Sequence, residues 1–508
     1  MSTVTLQSLF RGFPPEVLCE LSGSPDAKSV SQVTSDSREL KSGCVFVAVQ
    51  GGAHDGHAFL EQAAQKGAWA VVGQRPRAEV CPPDFKIPYL QVADSRQALG
   101  RLAANFFDHP SREMRVVGIT GTSGKTTTSY LVESILEAAG NRVGVIGTVN
   151  FRMGSVVLPS THTTPGAVEL QGLLRQMKDA GCTAVVMEVS SHALKQHRIE
   201  GIAFDGMVFT NLSPEHLDFH PDMEDYFQAK RMLFSSCVQT SIASGKTPFS
   251  AIHCDDAYGA RLLSELKSGA SSFGIEPSAA YSGSALRVSI DGIAGKIGDI
   301  SVSSPLTGQF NAQNILGAAA VCAGMGIDSQ KISEGISALK LVPGRLEKVD
   351  NLRGVHVLVD YAHKPDALEK VLQTLREVRK NGQKIITVVG CGGDRDRKKR
   401  PVMGRLAATL SDLAIITSDN PRTENPGAII SEIMAGIDAS SVGATVVEPD
   451  RRNAIFMAVS RAQAGDIVLI AGKGHEDYQI IADPAAAGGT RKIHFDDREV
   501  AREAFSSR

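Results

Sequence analysis

Short apolar runs that alternate with helical stretches constrain the fold of this chain more than any other feature of its sequence. Each run is three to six residues long and is rich in Val, Ile and other apolar side chains. Runs of this kind, separated by helices, are typical of α/β proteins in which helices cover a largely parallel sheet. The predicted strands cover residues 44–49, 69–72, 116–119, 143–146, 185–189, 207–209, 355–359, 385–389, 413–416 and 467–470.

The length of the chain and two breaks in its pattern predict three domains. A chain of 508 residues is too long for one compact domain, since a domain takes about 150 residues. Pro and Gly interrupt regular structure at 108–111 and again at 341–345. The Gly- and Ser-rich segment 264–304 is predicted to form loops and short antiparallel strands. The predicted domains are residues 1–108, 109–342 and 343–508.

The charge balance, the cysteine pattern and the apolar runs of the chain argue against several classes of protein. The chain has 53 Lys and Arg against 55 Asp and Glu, which argues against a dedicated nucleic-acid binder or an electrostatic membrane anchor. Its eight cysteines form no CxxC pair, and scattered thiols are typical of a reducing compartment. No secretory signal and no spanning segment of about 18 apolar residues is evident. We expect a cytoplasmic monomer that acts on small molecules and binds neither nucleic acid nor membrane.

A glycine loop between a strand and a helix is the strongest local signal. The segment VVGITGTSGKTT (residues 116–127) places backbone N–H groups at a helix N-terminus, where they can bind phosphate oxygens. Ile119 stands where the pattern GxxxxGK[ST] requires Gly, so the loop is the shorter GTSGKTT. Lys125 supplies a cation and Thr126 a hydroxyl suited to Mg²⁺. We therefore predict an α/β protein with a central P-loop-type ATPase domain, whose ATP contacts come from Gly121, Thr122, Ser123, Gly124, Lys125, Thr126 and Thr127.

GTSGKTT resembles the phosphate loop of the Mur ligases, ATP-dependent enzymes that add amino acids to the muramoyl peptide of peptidoglycan. The resemblance implies an N-terminal UDP-sugar-binding domain, a central ATP-binding domain and a C-terminal, Rossmann-like, amino-acid-binding domain. Within the family it points to addition of the third residue to UDP-N-acetylmuramoyl-L-alanyl-D-glutamate. The similarity continues in order through MEVSSH (187–192), TNL (210–212), HLD (216–218), FQAK (227–230), GQFN (308–311), Asn314, PGR (343–345), DYAH (360–363) and residues 390–400.

The resemblance assigns roles around the ATP phosphates. It makes Glu188 and His216, together with Thr126, ligands of Mg²⁺, and it implies that Lys230 is carbamylated and holds a second Mg²⁺. Taken alone, Glu188 and His216 are also compatible with ordinary polar groups at strand ends, and Lys230 with a solvated lysine whose stem is packed. The resemblance adds to the ATP site Asn311, Asn314 and Arg345.

The same resemblance assigns the residues that bind the nucleotide-sugar peptide. Without it, the N-terminal members of the set are compatible with polar turns. Arg198 can pair with a carboxylate or a phosphate, whereas His162 stands where the family leads us to expect Asn. The implied set is Ser35, Ser37, Gly52, Ala53 and His54 for the UDP part, and His162, Thr163, Thr164, Ser190, Gln196 and Arg198 for the muramoyl peptide.

Three segments of the C-terminal domain, 392–401, 419–422 and 472–478, each follow an apolar run and should meet at one sheet edge. Arginines and a glutamate there suit a zwitterionic amino acid, although the first segment could also be a solvated helix start. The sequence DNPR (419–422) resembles the version of the family that adds meso-diaminopimelate, where arginine meets the distal carboxylate. Asn425 stands where an aspartate is common. The implied pocket is Arg395, Asp419, Asn420, Pro421, Arg422, Gly472 and Glu476.

The implied reaction uses ATP and Mg²⁺ to form an acyl phosphate, which the amine of the incoming amino acid then attacks. Four alternatives remain open at this point. One is a non-enzymatic regulator that retains only nucleotide-sugar binding, against which the intact Lys125, Glu188, His216 and Lys230 argue. A ligase of the same family could add L-lysine, although Arg422 would then oppose the ammonium group of lysine. Folylpolyglutamate synthase shares this type of loop but lacks DNPR. A protein of another class, a P-loop ATPase or switch, would hydrolyse ATP without any ligase activity.

Overall fold

The computed structural model of the protein describes residues 4–18, 21, 29–51, 54–154, 156–160, 162–266, 269–438, 442–486 and 488–506. The chain divides into two compact units. The first contains Met1–Ser282 and Asn314–Gly335, and the second contains Gly283–Gln313 and Ile336–Arg508. The predicted domain boundaries at 108/109 and 342/343 stay a prediction.

The first unit begins with a small parallel sheet. Its four strands lie in the order β1-β2-β3-β4, and their apolar side chains pack against α5, which also carries buried Leu102 and Ala103. The elements are α1 (Leu6–Leu9), α2 (Pro15–Leu18), β1 (Gln32–Thr34), β2 (Cys44–Ala48), α3 (Leu60–Gln65), β3 (Ala70–Gly73), α4 (Arg77–Val80), β4 (Tyr89–Gln91) and α5 (Ser95–Phe106).

A nine-stranded sheet forms the rest of the first unit. The strands lie in the order β13-β12-β11-β10-β5-β9-β6-β7-β8, and only β7 and β8 run antiparallel to their neighbours. The elements are β5 (Arg115–Thr120), α6 (Lys125–Ala138), β6 (Val143–Ile146), β7 (Asn150–Met153), β8 (Val156–Pro159), α7 (Ala167–Asp179), β9 (Ala184–Glu188), α8 (Ser191–Lys195), β10 (Gly206–Phe209), α9 (Met223–Arg231), α10 (Ser236–Ala243), β11 (Phe249–His253), α11 (Ala257–Glu265), β12 (Ala270–Gly274) and β13 (Tyr281–Ser282).

The second unit is built on a six-stranded sheet in the order β17-β18-β22-β19-β20-β21, parallel except for β17. It also holds an antiparallel sheet, β14-β15-β16, and the hairpin β23-β24. The elements are β14 (Arg287–Val288), β15 (Ile293–Ile297), β16 (Ile300–Ser304), β17 (Glu347–Val349), β18 (His356–Asp360), α14 (Pro365–Val378), β19 (Ile385–Val389), α15 (Lys399–Leu410), β20 (Leu413–Ile416), α16 (Pro426–Met434), β21 (Thr445–Val447), α17 (Arg451–Arg461), β22 (Ile467–Ala471), β23 (Tyr478–Ala482), β24 (Thr490–His494) and α18 (Asp497–Ser506).

Two further helices, α12 (Gln309–Gly324) and α13 (Ser329–Ala338), lie on segments where the chain passes between the units. The predicted α/β class and all ten predicted strands are confirmed, with ends that differ by at most one residue. The antiparallel strands expected within 264–304 are β14, β15 and β16, but β12 in the same segment pairs in parallel with β11. None of the helices in the described chain has the length and hydropathy to span a membrane.

Candidate active site

The predicted phosphate loop connects β5 to α6, and two of its glycines are required by close packing. An added Cβ at Gly121 (φ +148°) would lie 1.9 Å from Thr210 Oγ1, and one at Gly124 (φ +88°) would lie 2.4 Å from Asn314 Oδ1. Gly124 caps α6, which begins at Lys125. Because helix N-termini present unpaired N–H groups and a positive dipole end, this loop is suited to bind phosphate.

Two residues that follow β10 hold the loop in shape. Thr210 donates its hydroxyl to the Ser123 carbonyl (2.7 Å), and the Asn211 amide both accepts from Ser123 N (3.0 Å) and donates to Ser123 O (3.1 Å). The Asn211 carbonyl also accepts from Thr122 N (2.9 Å). β10 lies beside β5 in the sheet, so the TNL segment supports the loop from the adjacent strand end.

Lys125 and Lys230 converge on one carbonyl of the loop. Lys125 Nζ donates to the carbonyls of Gly121 and Thr122 (2.9 Å each), and Lys230 Nζ donates to Gly121 O (2.8 Å). Lys230 is 1% exposed and its Nζ lies 4.6 Å from the centre of the Tyr226 ring. Burial, reinforced by the charge of Lys125, holds the pKa of Lys230 well below its ordinary value. Lys230 is therefore a buried amine with a depressed pKa, not a solvated surface lysine.

Glu188 ends β9, the strand on the other side of β5, and is 1% exposed. Its two carboxylate oxygens accept from Thr148 N and from Thr148 Oγ1 (3.0 Å each), and its backbone carbonyl accepts from Thr164 Oγ1 (2.8 Å). Both donors to the carboxylate are neutral groups. A buried carboxylate with neutral donors is costly unless a cation shares the site.

These residues fit Mg²⁺ bound with phosphate. Within the described part of the chain, no three His, Cys, Asp or Glu side chains converge on one point. Mg²⁺ in nucleotide sites commonly takes one or two carboxylates and fills its remaining positions with phosphate oxygens and water, so Glu188 with the Thr126 hydroxyl is a suitable set. His216 lies on a turn beyond β10, with its ring centre 4.9 Å from that of His192.

Five of the six residues predicted to bind the muramoyl peptide are linked by hydrogen bonds to one another or to Thr148, a partner of Glu188. Thr163 Oγ1 lies 3.0 Å from Thr148 Oγ1, and Ser190 N donates to Thr164 Oγ1 (3.1 Å). Arg198 donates to the Thr164 carbonyl (2.9 Å) and to Gln196 Oε1 (2.7 Å). The structure thus brings five of the six together, whereas His162 is exposed and its carbonyl accepts from Ser160.

Of the residues predicted to bind the UDP part, Ser35 is exposed at the end of β1 and Ser37 begins a 3₁₀ turn, Ser37–Glu39. His54 is exposed after β2. Gly52 and Ala53 lie outside the described residues. Arg96, at the start of α5, donates to the Gln50 carbonyl (2.7 Å) and so fixes the chain that leads to this segment.

In the second unit, a buried lysine organises the predicted amino-acid pocket. Lys473 is fully buried, and its Nζ lies 2.9 Å from Asn420 Oδ1, 3.3 Å from Asp419 Oδ1 and 3.7 Å from Glu476 Oε2. Asn420 Nδ2 donates to Glu476 Oε2 (3.0 Å). Burial acts to raise the pKa of Asp419, but the charges of Lys473 and Arg451 outweigh it and lower that pKa. Burial raises the pKa of Glu476.

Arg422 projects from the same loop and is held by backbone. It has φ +53° and is half-buried, and its Nη1 donates to Gly393 O (2.8 Å) and, more weakly, to Asn420 O (3.5 Å). Among the described residues no carboxylate pairs with Arg422. Fully buried Arg400 donates to Gly392 O (3.1 Å) and pairs with Glu424 (2.8 Å). The Gly392-Gly393 loop is therefore fixed between two guanidinium groups.

The other predicted residues take various positions. Arg395 is exposed and donates to the Asp394 carbonyl (3.0 Å), Pro421 is buried, and Gly472 (φ +119°) lies beside Asp419. The Arg345 guanidinium carbon, Cζ, lies 5.4 Å from the centre of the Tyr361 ring. Asn311 Nδ2 donates to Thr307 O (2.8 Å) in the second unit, whereas Asn314 belongs to the first unit and accepts from Thr128 Oγ1 (3.3 Å).

Sequence reasoning missed three residues that structure the site. Lys473 lies between the assigned residues Gly472 and Glu476 in the segment GKGHE (472–476), and this position could have identified it as a residue of the pocket. Thr148, which binds both oxygens of Glu188, follows Gly147 at the end of β6 in no recognisable pattern. Arg400 lies in the charge run 394–400, and no local signal separates it from its exposed neighbours.

Comparison with known proteins identifies the family of this chain. Models described as "Mur ligase family, catalytic domain", "Mur ligase middle domain" and "Mur ligase, glutamate ligase domain" match residues 29–107, 119–322 and 344–474. The UDP-N-acetylmuramoyl-L-alanyl-D-glutamate--2,6-diaminopimelate ligase of Geobacter sulfurreducens is 47% identical over 498 residues, covering 94% of this chain and 95% of that protein. The protein of the same name from Geobacillus kaustophilus is 39% identical and covers 100% of both chains.

A solved structure of a protein with that name superimposes with a TM-score of 0.72 at 31% identity and covers 99% of both chains. The similarity thus extends over all three matched domains rather than the phosphate loop alone. This chain belongs to the Mur ligase family of ATP-dependent, amide-bond-forming ligases.

Proposed function

We propose that this protein joins an amino group of meso-diaminopimelate to the D-glutamate of UDP-N-acetylmuramoyl-L-alanyl-D-glutamate, using ATP, as a cytoplasmic monomer. The observation that carries the proposal is Arg422, a half-buried guanidinium that donates to the Gly393 carbonyl and forms no salt bridge with a carboxylate of the described residues. Guanidinium groups bind carboxylates in a bidentate manner. Diaminopimelate has a distal carboxylate to offer, whereas lysine has an ammonium group. The names of the relatives match this substrate choice.

Lys473, Asn420 and Glu476 orient the other end of the amino acid in this proposal. Glu476 accepts from Asn420 and lies 3.7 Å from Lys473, and its carboxylate is suited to take an ammonium donor. The raised pKa of Glu476 makes it a proton acceptor closer to neutral pH than an ordinary glutamate. We therefore assign Glu476 the role of holding the attacking amine.

The phosphate loop would act on the D-glutamate carboxylate. A carboxylate oxygen attacks the γ-phosphorus of ATP, the bond to ADP breaks, and an acyl phosphate forms. The amine then attacks the acyl carbon, and phosphate leaves as the amide forms. Lys125 and the loop N–H groups stabilise the negative charge of the transferred group. No protein nucleophile is needed.

We propose that Mg²⁺ is held by Glu188, Thr126 and His216, where it would neutralise phosphate charge when bound. We further propose that Lys230 is carbamylated. The neutral amine adds to CO₂, a nitrogen–carbon bond forms and one proton is lost, which converts a buried cation into an anion able to bind a second Mg²⁺. The depressed pKa of Lys230 supplies the neutral amine. An intact mass without a CO₂ adduct, together with full activity of Lys230→Ala, would refute carbamylation.

The test is phosphate release from ATP in the presence of UDP-N-acetylmuramoyl-L-alanyl-D-glutamate, with meso-diaminopimelate or L-lysine as the second substrate. We expect release, and a product mass increased by one diaminopimelate residue, only with the first amino acid. Lys125→Ala should abolish both signals and serves as the background control. Turnover with lysine would keep the ligase and reject the substrate assignment. Release that needs neither substrate would indicate a plain ATPase.

A further inference from the structure

One buried imidazole connects three segments of the first unit that carry proposed reaction residues. The His220 side chain is fully buried, with Nδ1 2.7 Å from Asp225 Oδ2 and Nε2 3.0 Å from Ser191 Oγ. A carboxylate accepts hydrogen bonds only, so Nδ1 carries a proton and donates to Asp225, while Nε2 shares a hydrogen bond with the Ser191 hydroxyl. Both ring nitrogens are therefore used, and each partner lies on a different element.

The backbone of His220 closes the turn on which His216 sits. The N–H groups of Phe219 and His220 donate to the His216 carbonyl (3.0 and 2.9 Å). His216 itself has φ +58°, a left-handed conformation that non-glycine residues adopt at a cost of about 1–2 kcal/mol. Such a conformation persists only where the surroundings fix it. The buried ring of His220 is the anchor at the other end of this turn.

The two partners of His220 begin two helices. Ser191 is the first residue of α8 and follows Ser190, the N-cap residue that we assign to the muramoyl-peptide site. Asp225 lies in the first turn of α9, five residues before Lys230 and so about 7.5 Å along the helix axis at 1.5 Å per residue. The position of His216 is thereby linked to the position of Lys230.

The set Ser191, His220 and Asp225 has the connectivity of a nucleophilic triad but cannot act as one. Ser191 is 2% exposed and His220 is 0% exposed, so no substrate reaches the serine hydroxyl. Lys195 pairs with the same Asp225 carboxylate from outside, at 2.5 Å, and about half of its side chain is exposed. The buried bond to His220 and the exposed bond to Lys195 can therefore be broken separately.

We infer that His220 is a positioning residue, which through Ser191 and Asp225 holds the His216 turn and α9 in the arrangement that binds Mg²⁺ with ATP. The inference rests on the proposed function for the identity of the metal-binding residues. It predicts that loss of the His220 side chain weakens the binding of Mg²⁺ with nucleotide and leaves the other substrates unaffected. Diaminopimelate binding should not change, because all of its proposed contacts belong to the second unit.

The experiment measures the Kd of a non-hydrolysable ATP analogue with Mg²⁺ and with a chelator, for the full-length wild type and His220→Ala. Mg²⁺ should lower the Kd of the analogue, and the factor by which it does so should be at least tenfold smaller in the variant than in wild type. Without metal, the Kd values of the two proteins should agree within twofold. In the ligation assay kcat should fall at least thirtyfold while KM for diaminopimelate stays within twofold. His220→Asn, whose amide can still donate to Asp225, should recover most of both losses.

Lys195→Met is the matched control, since it removes the exposed partner of Asp225 and keeps the buried one. It should behave as wild type in both assays. If His220→Ala does not fold, Ser191→Ala removes one of the two hydrogen bonds and should show a smaller loss of the same kind. Equal weakening with and without Mg²⁺, or no weakening, would overturn the inference. A wild type that binds Mg²⁺ with the analogue but does not ligate would reject the proposed function alone.

Discussion

At the scale of single residues, the amino-acid pocket depends on how the guanidinium groups of Arg400 and Arg422 are fixed. Arg400 is fully buried between Glu424 and Glu432 (2.8 Å each) and cannot reach solvent. Its side-chain bond holds the pKa of Glu424 at about 2, so the pair stays charged at any physiological pH. Arg400 is thus a structural cation, and of these two arginines Arg422 is the one that a ligand can pair with.

Replacing Arg422 by Met should lower kcat/KM for diaminopimelate by about ten- to hundredfold, since a hydrogen bond to a charged group contributes about 1.5–3 kcal/mol. KM for ATP and for the nucleotide sugar should stay within twofold. Arg379→Met is the control, because Arg379 pairs with Asp412 (2.9 Å) at the surface of the same unit. Initial rates at varied diaminopimelate decide the matter, and an unchanged kcat/KM for Arg422→Met would remove Arg422 from the pocket.

His475 gives the second unit a pH-dependent stability. Burial, with the charges of Arg345 and Arg498, lowers the pKa of His475 to about 4, against about 6.5 for an unfolded chain. Between these values the unfolded state binds more protons, so stability falls as pH falls from about 6.5 towards about 4. His475→Asn lacks the titrating imidazole and therefore lacks this loss. As pH falls, the free energy of unfolding of wild type should decrease relative to that of the variant by at most about 1.4 kcal/mol per pH unit.

Denaturant unfolding of both proteins at about pH 7, 6 and 5 measures that difference. The comparison isolates His475, because all other titrating groups are common to wild type and variant. A difference that stays constant across the three pH values would show that His475 is protonated equally in the folded and unfolded chain.

At the scale of elements, the connection between β5 and α6 allows a comparison of two glycines. Gly121 and Gly140 both have positive φ, and Gly140 follows the other end of α6 with no atom within 4 Å of an added Cβ. Alanine at either position costs about 1–2 kcal/mol of backbone strain. Only Gly121→Ala must displace Thr210, which holds the Ser123 carbonyl.

We therefore expect Gly121→Ala to weaken ATP binding at least tenfold, whereas Gly140→Ala loses about 1–2 kcal/mol of stability and keeps the wild-type Kd. Calorimetric titration with ATP, beside thermal unfolding of both variants, separates the two effects. Equal Kd values for the two variants would mean that the loop tolerates a shifted Thr210.

The strands that sequence predicted lie inside their sheets and are apolar, whereas those it missed lack one or both of these properties. β11 lies inside its sheet, but Ser250 and His253 interrupt its apolar run. β5, β9, β19 and β22 lie inside their sheets and are apolar throughout or nearly so, because helices cover both faces. β8 is the edge strand and β7 lies next to it. Both run antiparallel, and β8 exposes Val156 and Val157, so their composition carries no comparable signal. Edge strands need not be buried on both faces, which makes them hard to predict from apolar runs.

The candidate site shows the same limit. GTSGKTT and DNPR could be predicted, since each is a contiguous segment at a strand end. The contact of Lys473 with Asn420 could not, because it joins residues that follow β22 and β20, which are separated in the sheet by β19. Strand order is a property of the fold, and no local pattern specifies it.

At the scale of the whole molecule, the two units are interleaved in sequence. Residues 283–313 belong to the second unit, although 314–335 return to the first. Ile290 is fully buried in a cluster with Leu346 and Leu358 of the second unit. The predicted central domain, 109–342, would instead include Ile290. Unfolding can decide whether segment 283–313 is energetically part of the second unit.

We expect two unfolding transitions, one raised by the nucleotide-sugar substrate and the other by diaminopimelate, since a ligand stabilises the unit that binds it. Ile290→Ala should lower the free energy of unfolding of the second transition only, by about 2–5 kcal/mol, because it removes a large buried side chain. Ile135→Ala, equally buried in α6, should lower only the first. If Ile290→Ala lowers the first transition instead, segment 283–313 is stabilised with the central domain and the boundary at 342/343 holds. Differential scanning calorimetry with each ligand in turn provides the assignment, because the two proposed ligand sites lie in different units and each ligand marks one transition.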